Sequence, residues 1–138
     1  MATASVYVAP SIQHPRAART SVVASWVLQI PVAALFAFAG FHKLTGDPAM
    51  VQLFDAIGIG QWFRYVTGAL ELGGAVGLLV PAVAPAAAVG LIGVMTGAIL
   101  THLFILHNSP AIPLALLTAL VAIAWLRRAT LARWAGAR

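Results

Sequence analysis

The chain has 138 residues and no cysteine, and 62% of its residues are apolar while 8% are charged. Soluble domains carry about 25% charged residues, so this composition indicates an integral membrane protein, and the lack of cysteine excludes a disulfide relay or a thiolate nucleophile. The net charge of +5 lies mostly at the two ends of the chain, which favours anionic lipid headgroups over nucleic acid as its partner.

Four apolar segments follow one another, each close to the ~20 residues that a helix needs to cross a bilayer. They predict a single all-α membrane domain over residues 1–138, a bundle of four transmembrane helices. The first is too long, and its end too charged, for a cleaved signal peptide, so we expect it to be retained. Residues 1–19 are expected to be a loosely ordered tail and residues 127–138 a basic cytoplasmic tail. The predicted helices cover about residues 21–44, 62–80, 84–106 and 110–126.

The basic residues predict the orientation. If both termini are cytoplasmic, six of the eight Lys and Arg residues lie on that side, as the positive-inside rule requires. We therefore expect a multi-pass protein of the inner (cytoplasmic) membrane with both termini inside. The six residues are Arg16, Arg19, Arg127, Arg128, Arg133 and Arg138, against Lys43 and Arg64 on the other side.

The connection over residues 45–61 has a helical pattern of its own. Asp47 is a good N-cap, Pro48 suits the first helical position, and Gly58 is a typical stop. We predict a short amphipathic helix at the outer interface, with a plain connecting loop as the alternative. Its apolar residues repeat at helical spacing: Met50, Leu53, Phe54 and Ile57.

Small residues predict where the helices pack. Gly73 and Gly77 form one small-xxx-small pair. A comparable stripe on the third segment consists of Gly90, Gly93, Gly97 and Thr101. These two stripes predict close packing of the second and third segments. Near the start of the first segment, Gln29 is a candidate polar contact between helices.

Glu71 lies in the middle of an apolar segment, and a carboxyl group there costs roughly 2.5 kcal/mol or more to place in hydrocarbon. It therefore needs a partner or a task. The topology brings Lys43 to the same half of the bundle, and we predict that the two side chains pair. The pair has two interpretations: a functional site, or a structural lock that fixes the helix register.

A functional site would occupy the outer half of the bundle. Glu71 and His102 are the candidate catalytic residues because both exchange protons. No spacing of His, Asp or Glu places two metal ligands on one helix face, so no metal site is predicted. The candidate ligand-binding residues are Lys43, His42, Phe36, Gly40, Thr67, Trp62 and Thr101.

Three stretches carry a family resemblance. Residues 38–44 contain Ala39, Gly40 and Lys43 in an AGxxKL pattern, residues 68–79 contain a GxxE pattern that ends at Glu71, and residues 95–98 precede His102. In this order they resemble the DoxX-like family of small four-helix membrane proteins over about residues 30–127. The resemblance implies a compact four-helix bundle and places the family's Lys, Glu and helix-three His on Lys43, Glu71 and His102.

The family takes its name from a membrane component of a thiosulfate:quinone oxidoreductase. The resemblance therefore implies a subunit or accessory of a membrane redox system, with a quinone as a non-covalent ligand and with membrane lipids, a redox partner or a second copy of the chain as partners. Two alternatives stay open. One is a structural or partner-binding component locked by Lys43 and Glu71, and the other is a stand-alone enzyme that uses Glu71 and His102 as acid and base on a hydrophobic substrate.

Overall fold

Six helices make up the computed structural model, which describes residues 15–134 and 136. The predicted first segment begins earlier than expected, at Pro15, because the helix continues through the basic residues that precede the apolar run. The rest of the predicted N-terminal tail, residues 1–14, lies outside the described residues. The helices are α1 (Pro15–Thr45), α2 (Pro48–Ile57), α3 (Gln61–Leu79), α4 (Ala84–Phe104), α5 (Ala111–Leu126) and α6 (Arg128–Trp134).

The four long helices form a ring in the order α1, α3, α4, α5, in which each helix packs against two neighbours. Two ends of this bundle follow from the chain path. The α2 end is where α1 and α4 finish and α3 and α5 begin; the α6 end is where α3 and α5 finish. The core that the helices share consists of Val32, Ala33, Phe36, Ala75, Leu78, Ala88, Leu91, Met95, Leu120 and Ile123.

The closest approach of α1 and α3 is at two glycines. A Cβ on Gly40 would lie 2.8 Å from the carbonyl oxygen of Gly68 and 2.9 Å from the backbone nitrogen of Leu72. A Cβ on Gly68 would in turn lie 2.9 Å from Cβ of Lys43. Two backbones come this close only where neither helix has a side chain in the way.

The packing predicted between the second and third segments is only partly right. Added Cβ atoms at Gly77 and Gly74 would lie 2.7 Å from Ala87 Cβ and 2.6 Å from Leu91 side-chain atoms, so α3 and α4 meet there. A Cβ added to Gly73, in contrast, would have no atom of another helix within 4 Å. The contact uses the Gly74 and Gly77 face of α3, which is rotated away from Gly73.

The predicted glycine stripe of α4 does not make this contact. Gly90, Gly93 and Gly97 each have nothing within 4 Å of an added Cβ. The row of α4 that touches α3 is Ala87 and Leu91, one turn apart. Consequently α3 and α4 meet toward the α6 end, and the glycines of α4 face an open space toward the α2 end.

The predicted short helix between the first two segments is present as α2. The Asp47 carboxylate accepts a hydrogen bond of 3.0 Å from the Ala49 amide. Gly58 ends the helix with φ +79°, and its backbone N–H donates a hydrogen bond to the Phe54 carbonyl. Phe54 is buried and packs on Phe63 of α3, with ring centroids 5.9 Å apart. The helix therefore lies on the bundle at its α2 end.

Both the apolar helices and the exposed surface have the properties of a membrane protein. Residues 20–45 of α1 and the whole of α4 are long and apolar enough to cross a membrane. Large apolar side chains of the described helices are widely exposed, for example Val27, Phe104 and Ile112, and water-soluble monomers rarely show such continuous apolar surface. These features indicate a membrane protein. The other two spans stay a prediction, since α3 carries Arg64 and Glu71 and α5 has only 16 residues.

The chain after α5 was expected to be a basic tail, and a helix there was not predicted. Residues Arg128–Trp134 form α6, which packs against α4 and α5. Arg127, between the two helices, is buried. Residues 135, 137 and 138 lie outside the described part of the chain.

Candidate functional site

An ion pair joins α1 to α3 inside the bundle. Nζ of Lys43 lies 2.7 Å from Oε2 of Glu71, and the two side chains expose only 13% and 5% of their surface. The predicted partner of the buried carboxylate is therefore present. Gly40 precedes Lys43 by three residues and Gly68 precedes Glu71 by three, so the tight glycine crossing sets the distance between the charges.

Arg64 reinforces this junction from the first turn of α3. Its side chain is buried, and Nη1 donates a hydrogen bond to the carbonyl oxygen of Lys43 near the end of α1. Nε donates to Oε1 of Gln61 at 2.6 Å, and the guanidinium lies 4.2 Å from the ring centroid of Tyr65. A cation at a helix C-terminus satisfies free carbonyls and suits the helix dipole. Arg64 thus holds the end of α1, including Lys43, against α3.

A cavity of about 520 Å³ lies beside the ion pair, between α3 and α4 and under α2. Its volume falls within the range of about 300–1,000 Å³ that small-molecule sites usually occupy. Most of its wall is apolar, and the polar groups are few. The lining residues are Lys43, Leu53, Phe54, Ile57, Ile59, Phe63, Thr67, Leu70, Glu71, Gly90, Gly93, Val94, Gly97, Ala98, Thr101, His102 and Leu106.

The open side of the cavity lies between α3 and α4. Gly90, Gly93 and Gly97 are exposed as well as lining it, and Leu70 on the facing helix exposes 54% of its surface. Phe54 on the α2 side is buried. The cavity is thus covered by α2 at the end of the bundle and accessible from its flank.

The hydroxyl groups on the wall already use their hydrogens. Thr67 donates to the Phe63 carbonyl and Thr101 donates to the Gly97 carbonyl at 2.9 Å, each one turn earlier in its own helix. Such bonds leave the hydroxyl oxygen as an acceptor toward the cavity. Lys43 is the donor, since its ammonium has three hydrogens and the bond to Glu71 uses one.

His102 lies at the edge of the cavity near the end of α4. Its Nδ1 is 2.5 Å from Oδ1 of Asn108. An amide oxygen only accepts, so this contact places a hydrogen on Nδ1 and leaves Nε2 as the ring nitrogen without that partner. Asn108 belongs to the connection to α5, which thereby orients the imidazole.

The structure brings five of the nine predicted site residues to one cavity: Lys43, Thr67, Glu71, Thr101 and His102. The other four lie outside it. Phe36 is part of the shared core with 1% exposure, and Gly40 is covered by α3 at the glycine crossing. Trp62 exposes 60% of its surface and donates its indole N–H to the Ile59 carbonyl at 3.0 Å. A ligand-binding role has no geometric support at these positions.

His42 is the fourth residue outside the cavity. It points to the start of α2, where its Nδ1 lies 3.2 Å from Oδ2 of Asp47, and its ring is 4.2 Å from that of Phe38. The hydrogen bond from His42 and a second one from the Ala49 amide lower the pKa of Asp47. His42 therefore joins the end of α1 to the cap of α2, which is a structural contact.

Two parts of the cavity wall were not expected from the sequence. Leu53 and Ile57 belong to the apolar repeat of the predicted α2 helix but were not among the predicted site residues, and the α4 glycines were assigned to helix packing. A signal was present in both cases, since a glycine stripe lets either a helix or a ligand approach the backbone closely. Within the described part of the chain, no three His, Asp or Glu side chains lie close enough together to hold a metal ion.

Comparisons with known proteins agree with the resemblance carried by the AGxxKL and GxxE patterns. No curated protein and no solved structure matched the chain. A model of the DoxX-like family, however, matches residues 27–126, which include all of α2, α3, α4 and α5 as well as the ion pair and the cavity. The chain therefore belongs to the DoxX-like family.

Proposed function

We propose that this protein spans the cytoplasmic membrane four times, with both termini inside, and binds a lipophilic small molecule in the cavity between α3 and α4. The proposed ligand class is a quinone or a molecule of similar chemistry, an apolar body with hydrogen-bonding oxygens. In this role the protein is a subunit or accessory of a membrane redox system. The observation that carries the proposal is a half-open apolar cavity with a buried ammonium–carboxylate pair in its wall.

The four-span arrangement is supported by packing. Two helices with the length and apolarity of membrane spans, α1 and α4, lie diagonally in the ring, so α3 and α5 share the same layer with them. Exposed aromatic residues mark two levels: Trp62 and Tyr65 near the α2 end and Trp125 near the α6 end. Such belts are typical of the two membrane–water interfaces. The cavity then belongs to the outer half of the membrane.

The polar inventory suits a quinone headgroup. Quinone carbonyls accept hydrogen bonds, and Lys43 offers donors that Glu71 does not use. Reduction to a quinol consumes two electrons and two protons. The electrons would come from a redox partner, because the chain has no cysteine, and the protons would pass through Glu71 or Nε2 of His102.

The α4 glycines provide the cleanest test. Gly93→Leu puts a side chain into the cavity, and its Cβ has no atom of another helix within 4 Å. Gly73→Leu is the matched control, since that α3 glycine is equally open but does not line the cavity. Each protein is extracted in a lipid-preserving polymer, and the lipophilic molecules that accompany it are identified by mass spectrometry.

We expect a stoichiometric quinone or similar molecule with the wild type and with Gly73→Leu, and its loss with Gly93→Leu. Glu71→Gln keeps the shape of the side chain but removes its negative charge, and it should lower ligand occupancy as well. Equal occupancy in Gly93→Leu and wild type would refute the cavity as the binding site. If no small molecule accompanies any of the proteins, the result favours the interpretation of Lys43 and Glu71 as a structural lock.

One observation favours that structural interpretation as a second candidate. The ion pair lies next to the Gly40 and Gly68 crossing, where a register lock between α1 and α3 would be placed. In this version the protein is a partner-binding membrane component, and Lys43 with Glu71 only fixes the helix register. Protein partners that copurify equally with wild type and Gly93→Leu would support it.

A further inference from the structure

A second buried polar cluster occupies the α6 end of the bundle, far along the helices from the cavity described above. Arg127 exposes 9% of its surface. Its Nε donates to Oγ of Ser25 at 2.7 Å and to Oε1 of Gln29 at 3.1 Å. Gln29 in turn donates to the carbonyl of Leu78 at 2.5 Å, so the cluster joins α1, α3 and the end of α5.

The charge of Arg127 is not balanced within the described part of the chain. All of its hydrogen-bond acceptors named above are neutral, and its Nη2 is buried with no hydrogen-bond partner among the described residues. The chain has only three Asp or Glu residues: Asp47, Asp55 and Glu71. Two of them belong to the α2 end and the third pairs with Lys43. Arg64 is also buried against neutral acceptors, but Arg127 in addition keeps a buried guanidinium nitrogen without an acceptor among the described residues. An anion from outside would supply that acceptor and balance the charge.

A cavity of about 360 Å³ lies at this cluster, lined by Pro81, Ala82, Arg127, Thr130 and Arg133. The turn between α3 and α4 forms one wall, and α6 forms the other. Nη2 of Arg133 is 3.4 Å from Oγ1 of Thr130, which accepts that bond and keeps its own hydrogen to donate. Two guanidinium groups and a hydroxyl donor around one cavity match the oxygens of a phosphate group.

We propose that this cavity binds the phosphate group of an anionic ligand through Arg127, Arg133 and Thr130. The phosphate belongs either to a lipid headgroup or to a small soluble phosphate. Two tryptophans at the same level accompany the arginines: Arg127 lies 5.3 Å from the ring centroid of Trp26, and Arg128 lies 4.5 Å from that of Trp125. This site is independent of the quinone proposal, because no residue lines both cavities.

The test uses the full chain and two substitutions that remove the same charge. Arg133→Gln removes a donor from the cavity, whereas the control Arg128→Gln removes one from a residue beside Trp125 that does not line it. Native mass spectrometry measures the binding of phosphatidylglycerol and of diacylglycerol with the same acyl chains. Thermal unfolding with added inorganic phosphate measures the soluble alternative.

We expect phosphatidylglycerol to bind more tightly than diacylglycerol, and Arg133→Gln to weaken it about tenfold, the usual loss for a charge-assisted hydrogen bond. Arg128→Gln should bind as the wild type does. Binding of phosphatidylglycerol without an effect of inorganic phosphate identifies a headgroup site. A rise in melting temperature with inorganic phosphate that Arg133→Gln abolishes identifies a small-anion site.

Two results would overturn the proposal. Equal losses in Arg133→Gln and Arg128→Gln would reduce the effect to general surface charge. Equal binding of the two lipids, together with no effect of inorganic phosphate, would show that the cavity has no preference for phosphate. Within the described residues the Arg133 side chain bonds to α6 alone, so Arg133→Gln should melt as the wild type does without ligand. Arg127→Gln, which also loses contacts to α1, should bind less and melt lower.

Discussion

The Lys43 and Glu71 pair near the α2 end and the Arg127 cluster at the α6 end each hold a largely buried cation, but the two cations have different partners. Near the α2 end, Lys43 faces the carboxylate of Glu71 at 2.7 Å. At the α6 end, Arg127 faces the neutral side chains of Ser25 and Gln29. The first charge is balanced inside the chain, while the second leaves a guanidinium nitrogen unpartnered within the described residues. The charge of Lys43 is therefore paired inside the chain, whereas that of Arg127 is the one for which we propose an external anion.

The largest expected effect tests the completeness of the Lys43 and Glu71 pair. Removing one partner leaves the other charge buried, so Lys43→Met or Glu71→Leu should each lower the free energy of unfolding by about 3–5 kcal/mol. The double variant Lys43→Met with Glu71→Leu removes both charges and should regain most of the loss. Unfolding in detergent, followed by circular dichroism, measures all three.

The double variant also separates the two candidate functions. A register lock predicts a folded double variant that keeps its protein partners. A ligand site predicts that the folded double variant has lost its small molecule. Failure of the double variant to regain stability would contradict the balanced-pair description, because it would mean that the charges are not each other's main partners.

An intermediate effect is expected at the other end. Arg127→Met should lower the free energy of unfolding by about 1–3 kcal/mol, because the loss is that of hydrogen bonds to neutral groups. Ser25 and Gln29 keep their own bond of 2.5 Å to each other, so no charge is stranded. The same unfolding assay compares it with Lys43→Met. A loss as large as that of Lys43→Met would erase the distinction between the two ends.

The smallest effect concerns pH and the joint between α1 and α2. The pKa of Asp47 is lowered by the hydrogen bond from His42 and by that from the Ala49 amide. Its stabilising contribution is therefore present above the unfolded pKa of about 3.9 and disappears as the pH falls through the lower folded value. Asp47→Asn should melt slightly below the wild type at neutral pH. The difference should shrink in acid, and a constant difference would contradict the assignment.

Some of this arrangement was predictable because the sequence shows residues that would be unfavourable without a particular partner. A carboxylate in an apolar segment needs a partner, and topology left Lys43 as the candidate for Glu71; the pair is present. The cap and stop residues of α2 predicted its existence for a similar reason. In each case one residue type in one place has few physical explanations.

Other features have sequence patterns with two explanations. A glycine such as Gly93 either lets a neighbouring helix pack closely or leaves a space beside the helix. Here α4 contacts α3 through Ala87 and Leu91, so the space beside Gly93 stays open. Arg127 at a helix end is typical of an interfacial anchor, and its burial depends on the small Ser25 and the polar Gln29, about 100 residues earlier in the sequence on α1. Those choices arise from packing across the bundle, which a single sequence does not display.

The flank opening of the larger cavity changes how affinity has to be expressed. In the proposed four-span arrangement, a molecule that passes between α3 and α4, beside Gly93 and Leu70, would come from the hydrocarbon and not from water. Its occupancy then depends on its mole fraction in the lipid. Each additional CH₂ group of an acyl or prenyl tail makes the transfer from water to lipid more favourable by about 0.8 kcal/mol and so increases that mole fraction. A dissociation constant quoted per volume of buffer would mix bilayer partitioning with binding, whereas a titration at fixed ligand-to-lipid ratio isolates the protein's contribution.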